Sequence, residues 1–227
     1  MSRDDIGLVR HTSWPAVGES SGERPILNRM GALVVTNLVD QLVLAGLAYH
    51  MQIGTEDAGV ASTTSIDDAL VWMLADNLAG YAMIPLLYEV NVGVLAGATL
   101  CMSMLEIDKD KVRYSSGGTA YVPANLRSDD AHSATGSFYV GTDITAAAKT
   151  AVPNTVEFAR KEWTEDALAD TIGYPGAWNP TVYSIRTRPM ICVVGVGSVV
   201  CHHGAATADA TGYGVLQFAQ FDKALVT

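Results

Sequence analysis

The chain has 227 residues, 49% of them hydrophobic and 17% charged, with a formal net charge of -10 at pH 7. This acidic balance, with a sequence pI near 4.8, disfavours nucleic-acid binding, because nucleic-acid proteins displace phosphate counterions with clustered Lys and Arg. Ordinary globular chains carry about 25% charged residues, so much of this surface is expected to be uncharged or covered by other chains.

Residues 1–30 hold His11, Trp14, Pro15, Gly18, Gly22 and Pro25 with no period, which predicts an extended N-terminal arm. Arg3, Arg10, Arg24 and Arg29 are offset by Asp4, Asp5, Glu19 and Glu23, so the arm does not read as a basic genome-binding tail. The residues after Met1 are polar, with no apolar signal segment expected. Trp14, Pro15, Ile26 and Leu27 would be wasted on a dangling tail and are the candidate subunit-contact residues.

From Gly31 the pattern turns to β, with strands expected at Ala32–Thr36 and Gln41–Leu44. Tyr49, Met51 and Ile53 alternate with His50 and Gln52, which puts the first three on one face of a strand. A polar loop covers 56–65. The next stretch is open between a helix started by Ser65 and Asp68 and a strand through Leu70–Met73, with the strand favoured. After a turn at Asn77–Tyr81, Tyr88, Val90, Val92 and Val94 form the clearest strand. Gly97 turns the chain back into Thr99–Ile107, and a meander pairing of the two is expected. Ala82–Leu105 is interrupted by Pro85, Glu89 and Asn91, so two strands explain it better than a membrane span, which needs about 20 apolar residues.

Residues 108–154 read as loop-dominated, with a short strand at Ser137–Val140. Residues 154–172 fit helical spacing through Ala159, Trp163 and Ala167 or alternation through Val156, Phe158 and Arg160, and both remain open. A turn-rich connector from Tyr174 to Pro180 precedes three strands in Met190–Phe221, broken by a tight turn at Gly195–Gly197. Valine at Gly195 or Gly197 is expected to damage folding if the turn needs positive φ. About eight to ten short strands between Gly/Pro loops predict an all-β fold. The expected form is a jelly-roll-like β-sandwich with long loops, occupying 31–227 as one domain after the arm.

Candidate chemistry is thin. Gly195-Val196-Gly197 lacks the third glycine and following helix of a dinucleotide loop. Ser198 lacks the trailing glycine of a nucleophile elbow. Cys201-His202-His203 offers zinc-ligand types, but neighbours on a strand point to opposite faces. Interfacial or exposed histidines are the simpler reading. Glu106, Asp108 and Asp110, like Asp129 and Asp130, lack the glycine and terminal glutamate of a calcium loop and read as solvated, charged turns. Cys101, Cys192 and Cys201 are an odd number in strand-like runs and read as buried thiols. Loop aromatics Tyr114, Tyr121, Tyr139, Tyr174 and Trp178 keep a carbohydrate-binding module open as the alternative function. No catalytic, cofactor or metal residues are assigned.

Five segments, Tyr88–Val92, Leu105–Lys109, Arg113–Thr119 with Pro123–Leu126, Gly136–Val140 and Tyr213–Gln220, resemble in style and order a bacteriophage virion structural protein. The resemblance spans roughly 85–221. It implies a non-enzymatic jelly-roll subunit, of capsid, decoration or cement type, located in the virion. Its implied partners are copies of itself, as a trimer, and other virion proteins.

Overall fold

The computed structural model describes residues 37–55, 57–94, 99–149, 154–165, 181–206 and 211–225. The N-terminal arm with Trp14, Pro15, Ile26 and Leu27, the strand expected at Ala32–Thr36, the Gly97 turn and the connector around Tyr174 and Trp178 lie outside them.

After helix α1 (Leu38–Leu44) come β1 (Ala48–Ile53), β2 (Val60–Ala61), β3 (Val71–Asn77), β4 (Tyr81–Val94), β5 (Thr99–Asp108), β6 (Tyr114–Ser116) and β7 (Thr119–Ala120). They are followed by β8 (Ala124–Asn125), β9 (Gly136–Ala146), β10 (Thr155–Glu165), β11 (Thr181–Ser184), β12 (Val193–Val194), β13 (Gly197–Ala205) and β14 (Thr211–Asp222). The long strands pair as nested antiparallel partners: β1 with β14, β3 with β13, β4 with β11 and β5 with β10. Such nesting makes the chain one long folded ribbon. Pairing of β14 with β4 and of β13 with β5 rolls that ribbon into two sheets, ordered β11-β4-β14-β1-β8 and β10-β5-β13-β3-β9-β6. This is the jelly-roll arrangement of an all-β sandwich.

Apolar side chains fill three layers. Between the sheets lie Met51, Trp72, Met73, Tyr88, Leu105, Val199, Leu216 and Phe218. On the outer side of the first sheet, α1 covers Ala82, Ile84, Leu86 and Phe221 through Leu42. On the outer side of the second, Ile144 and Ala146 pack with Val71, Leu74 and Val200. The insertion between β5 and β10 sends β8 to the open side of β1 and β9 to the open side of β3, covering neighbouring edges of both sheets.

Several expectations need correction. Gln41–Leu44 is part of a helix, because the Asn37 side chain accepts a hydrogen bond from Asp40 N and caps its first turn. β4 and β5 do not form a meander pair; consecutive in sequence, they belong to different sheets. β9 runs eleven residues rather than four. Of the two open stretches, the first holds the favoured strand, at Val71–Asn77, with Ser65 binding Asp67 instead of capping a helix, and the second is a strand over Thr155–Glu165, its residues 166–172 lying outside the described residues. β10 carries a register shift between Glu157 and Ala159, which blurs its alternation. Pro85 sits in β4 beside a register shift opposite Gln217–Phe218, where its missing N–H is tolerated.

Candidate functional site

One end of the sandwich is built on a buried amide pair. Asn77, fully buried at the end of β3, donates from Nδ2 to Tyr81 O (2.9 Å) and Gly195 O (2.8 Å). Its Oδ1 accepts from Gln220 Nε2 at 2.8 Å, and Gln220 also donates to Thr135 O and accepts from Thr135 N. Backbone bonds Gly195 N→Tyr81 O (2.8 Å) and Lys223 N→Gly80 O (3.0 Å) complete the tie. The β3–β4 turn, the β12–β13 turn and the chain after β14 therefore converge in fixed geometry.

Beside the exposed, charged Asp222 and Lys223, this frame holds four aliphatic side chains outward. Leu78, Val194, Val196 and Leu225 are 42%, 43%, 38% and 49% exposed, and the buried amides leave their turns little freedom to withdraw them. Loop tips are ordinarily polar, so a rigid tip bearing four aliphatic side chains is a candidate contact surface. Replacing Asn77 by Ala should lower the unfolding free energy by about 3 kcal/mol, since Gly195 O loses its side-chain donor, Tyr81 O keeps only Gly195 N, and Gln220 Nε2 keeps only Thr135 O. Urea unfolding of the variant with an unchanged midpoint would remove the amide pair from this account.

A second construction lies on the outer face of the second sheet. Arg113 is completely buried and bonds Glu106 Oε1 through Nη1 (2.8 Å), Asp68 Oδ1 through Nη2 (2.7 Å) and Ala147 O through Nε (2.6 Å). Lys149 Nζ reaches Glu106 Oε2 at 2.5 Å, and Asp108 accepts from Thr155 Oγ1 at 2.9 Å. The Asp76 carboxylate accepts the backbone N–H of Arg113 (3.0 Å) and of Tyr114 (3.1 Å), and also the Ser198 hydroxyl. Burial raises the Asp76 pKa despite those donors. The network ties the insertion to the sheet beneath. Glu106 and Asp108 are thus not a solvated turn: both are buried and paired, whereas Asp110 is exposed as expected.

His202 and His203 point to opposite faces of β13 and are both fully buried, not exposed or interfacial. His203 faces the core, with Nδ1 2.9 Å from Ser103 Oγ and its ring 4.6 Å from that of Trp72. Burial depresses its pKa to about 4. His202 faces outward beneath residues 68–70, with Glu106, Lys149 and Asp68 as its charged neighbours. Cys101 and Cys201 are buried thiols outside any disulfide, and Cys192 is half-buried.

Tyr114 and Tyr139 stack face to face at 3.5 Å, so these two loop aromatics pack against each other. An open depression of about 400 Å³ is lined by Arg127 and residues 129–132. In it His132 Nδ1 meets Asp130 Oδ1 at 2.5 Å, in an exposed turn. Sequence reading found the turns at 77–81 and 195–197 but missed the Asn77–Gln220 pair, whose partners are 143 residues apart. The one available signal was a polar residue ending an apolar strand. No helix among the described residues is long and apolar enough to cross a membrane. The chain matches no family model, and no curated protein or solved structure shows significant similarity to it.

Proposed function

We propose that this chain is a non-catalytic structural subunit of a viral particle, a phage virion protein that forms or decorates the capsid by packing against copies of itself. The observation that carries the reading is the rigid apolar tip, Leu78, Val194, Val196 and Leu225, at one end of the sandwich. Jelly rolls serve viral capsids, lectins and cupins alike. Fold alone therefore selects nothing, and the reading is supported by the tip and the surface chemistry.

Each copy carries a formal charge of -10, so like copies repel at long range and must meet through uncharged surface. The tip supplies such surface, and contacts made about an axis close into a ring, a trimer being the unit that the resemblance to virion proteins implies. Arm residues Trp14, Pro15, Ile26 and Leu27 are proposed to add contacts between neighbours.

The variant Leu78→Asp/Val196→Asp tests the reading. Charges at two exposed positions should leave the unfolding free energy within about 0.5 kcal/mol of wild type. They should also shift the assembly to monomers on sizing at physiological salt. Wild-type-like assembly of this variant would show that the tip is not the contact.

A further inference from the structure

His202 is the polar side chain that its surroundings explain least. It is fully buried, and beyond an approach by the Leu70 backbone neither ring nitrogen has a hydrogen-bond partner of good geometry. Buried polar groups are almost always paired, so such a group asks for a reason. Its neighbours supply one. On β5, Glu106 faces it; residues 68–70 bring Asp68 and the Leu70 backbone; the insertion brings Lys149, with Arg113 on the far side of Glu106. On its own strand the flanking residues of the same face, Val200 and Gly204, carry no charge. The opposite face is occupied by His203 with Ser103 and Trp72, and Tyr88 Oη donates to the His202 carbonyl at 2.9 Å.

At neutral pH both carboxylates beside His202 are taken. Glu106 is bound by Arg113 and Lys149, and Asp68 by Arg113, with Lys149 Nζ 3.9 Å away. Of the two cations, Arg113 is fully buried while the Lys149 side chain is 45% exposed, so Lys149 is the one a competitor can displace. A protonated imidazole is such a competitor, because both ring nitrogens then donate.

We propose that His202 is the trigger of an acid-released latch: on protonation it takes Glu106 and Asp68 from Lys149, and the insertion loosens from the outer face of the second sheet. The inference concerns this fold by itself and does not depend on the particle reading. Burial and Lys149 lower the pKa of His202 while Glu106 and Asp68 oppose them. The neutral ring is therefore favoured in the closed form. The closed form binds fewer protons than the open one, so the latch holds above the ordinary histidine range near pH 6.5. It weakens as pH falls from there through the depressed pKa of the closed form. Loosening would uncover Val71, Leu74, Ile144, Ala146 and Val200, which the insertion now shares with the sheet.

Hydrogen–deuterium exchange of the full chain, corrected for the intrinsic rate at each pH, tests the latch. In wild type, peptides covering 111–117 and 144–149 should exchange at least tenfold faster at pH 5 than at pH 7.5. Peptides from β1 and β14 should stay protected. In His202→Gln the insertion should show no such acceleration. Equal acceleration in both proteins, none in wild type, or simultaneous loss of protection in β1 and β14 would overturn the proposal. Should His202→Gln not fold, the imidazole titration followed by NMR in wild type and Lys149→Met decides. Loss of the ammonium should raise the His202 midpoint by a pH unit or more, and an unchanged midpoint would overturn the proposal.

Discussion

Arg113→Met is expected to lower the unfolding free energy by about 3–5 kcal/mol, among the largest effects of any single substitution in this chain. The guanidinium is fully buried, and it pairs with Glu106, 2% exposed, and with Asp68, 30% exposed; Asp108, fully buried, lies 3.8 Å away. Removing it leaves Glu106 and Asp68 with Lys149 as their cation, while Asp108 keeps the Thr155 hydroxyl, and an uncompensated buried charge is what makes broken internal ion pairs costly. The methionine stem retains most of the packing, so the loss reports charge rather than volume. Adding Glu106→Gln should recover part of the deficit, because one of the stranded charges is then gone. Urea unfolding at pH 7 of wild type, single and double variants checks this. A single variant within 1 kcal/mol of wild type would show that the network contributes little.

Gly197→Val is expected to be at least as damaging, with a loss of about 3 kcal/mol or more or failure to accumulate as soluble protein. A Cβ there would stand 2.3 Å from Val193 Cγ1 and 2.6 Å from the backbone oxygen of Asp108. The valine could turn aside. The oxygen cannot move without opening the β5–β13 ladder, where Asp108 is registered with Ser198. Gly195, by contrast, has φ +81° but open space, the nearest atom being Ala79 O at 3.7 Å. Valine at 195 should therefore cost only the left-handed backbone, about 1–2 kcal/mol. Thermal unfolding of the two variants side by side gives the order, and a reversed order would contradict the crowding argument. The sequence-based expectation treated both glycines as one turn; the damage has two different origins.

The same contrast runs through the molecule. β1 was legible because one face is core and the other is not, so Tyr49, Met51 and Ile53 alternate with His50 and Gln52. β13 was legible as a strand but not as a central one, since it is buried along its whole length and its two histidines looked like surface groups. Pairing was not legible where it is non-local: β4 and β5 are consecutive, and only their partners β14 and β13, far along the chain, place them in separate sheets. Glu106 and Asp108 alternate with Leu105 and Ile107, as on any solvated face; that an insertion closes over them is a fact about Arg113 and Lys149, which a β5 pattern does not contain. Of the tip, sequence reading located the turns but not the amide pair that makes them rigid.

The mass of the purified chain in solution, by sedimentation at physiological salt and neutral pH, tests the central claim most directly. The account predicts a closed assembly, with three times the 24.0 kDa chain mass as its smallest unit. A single species of 24.0 kDa at every concentration reached would contradict it.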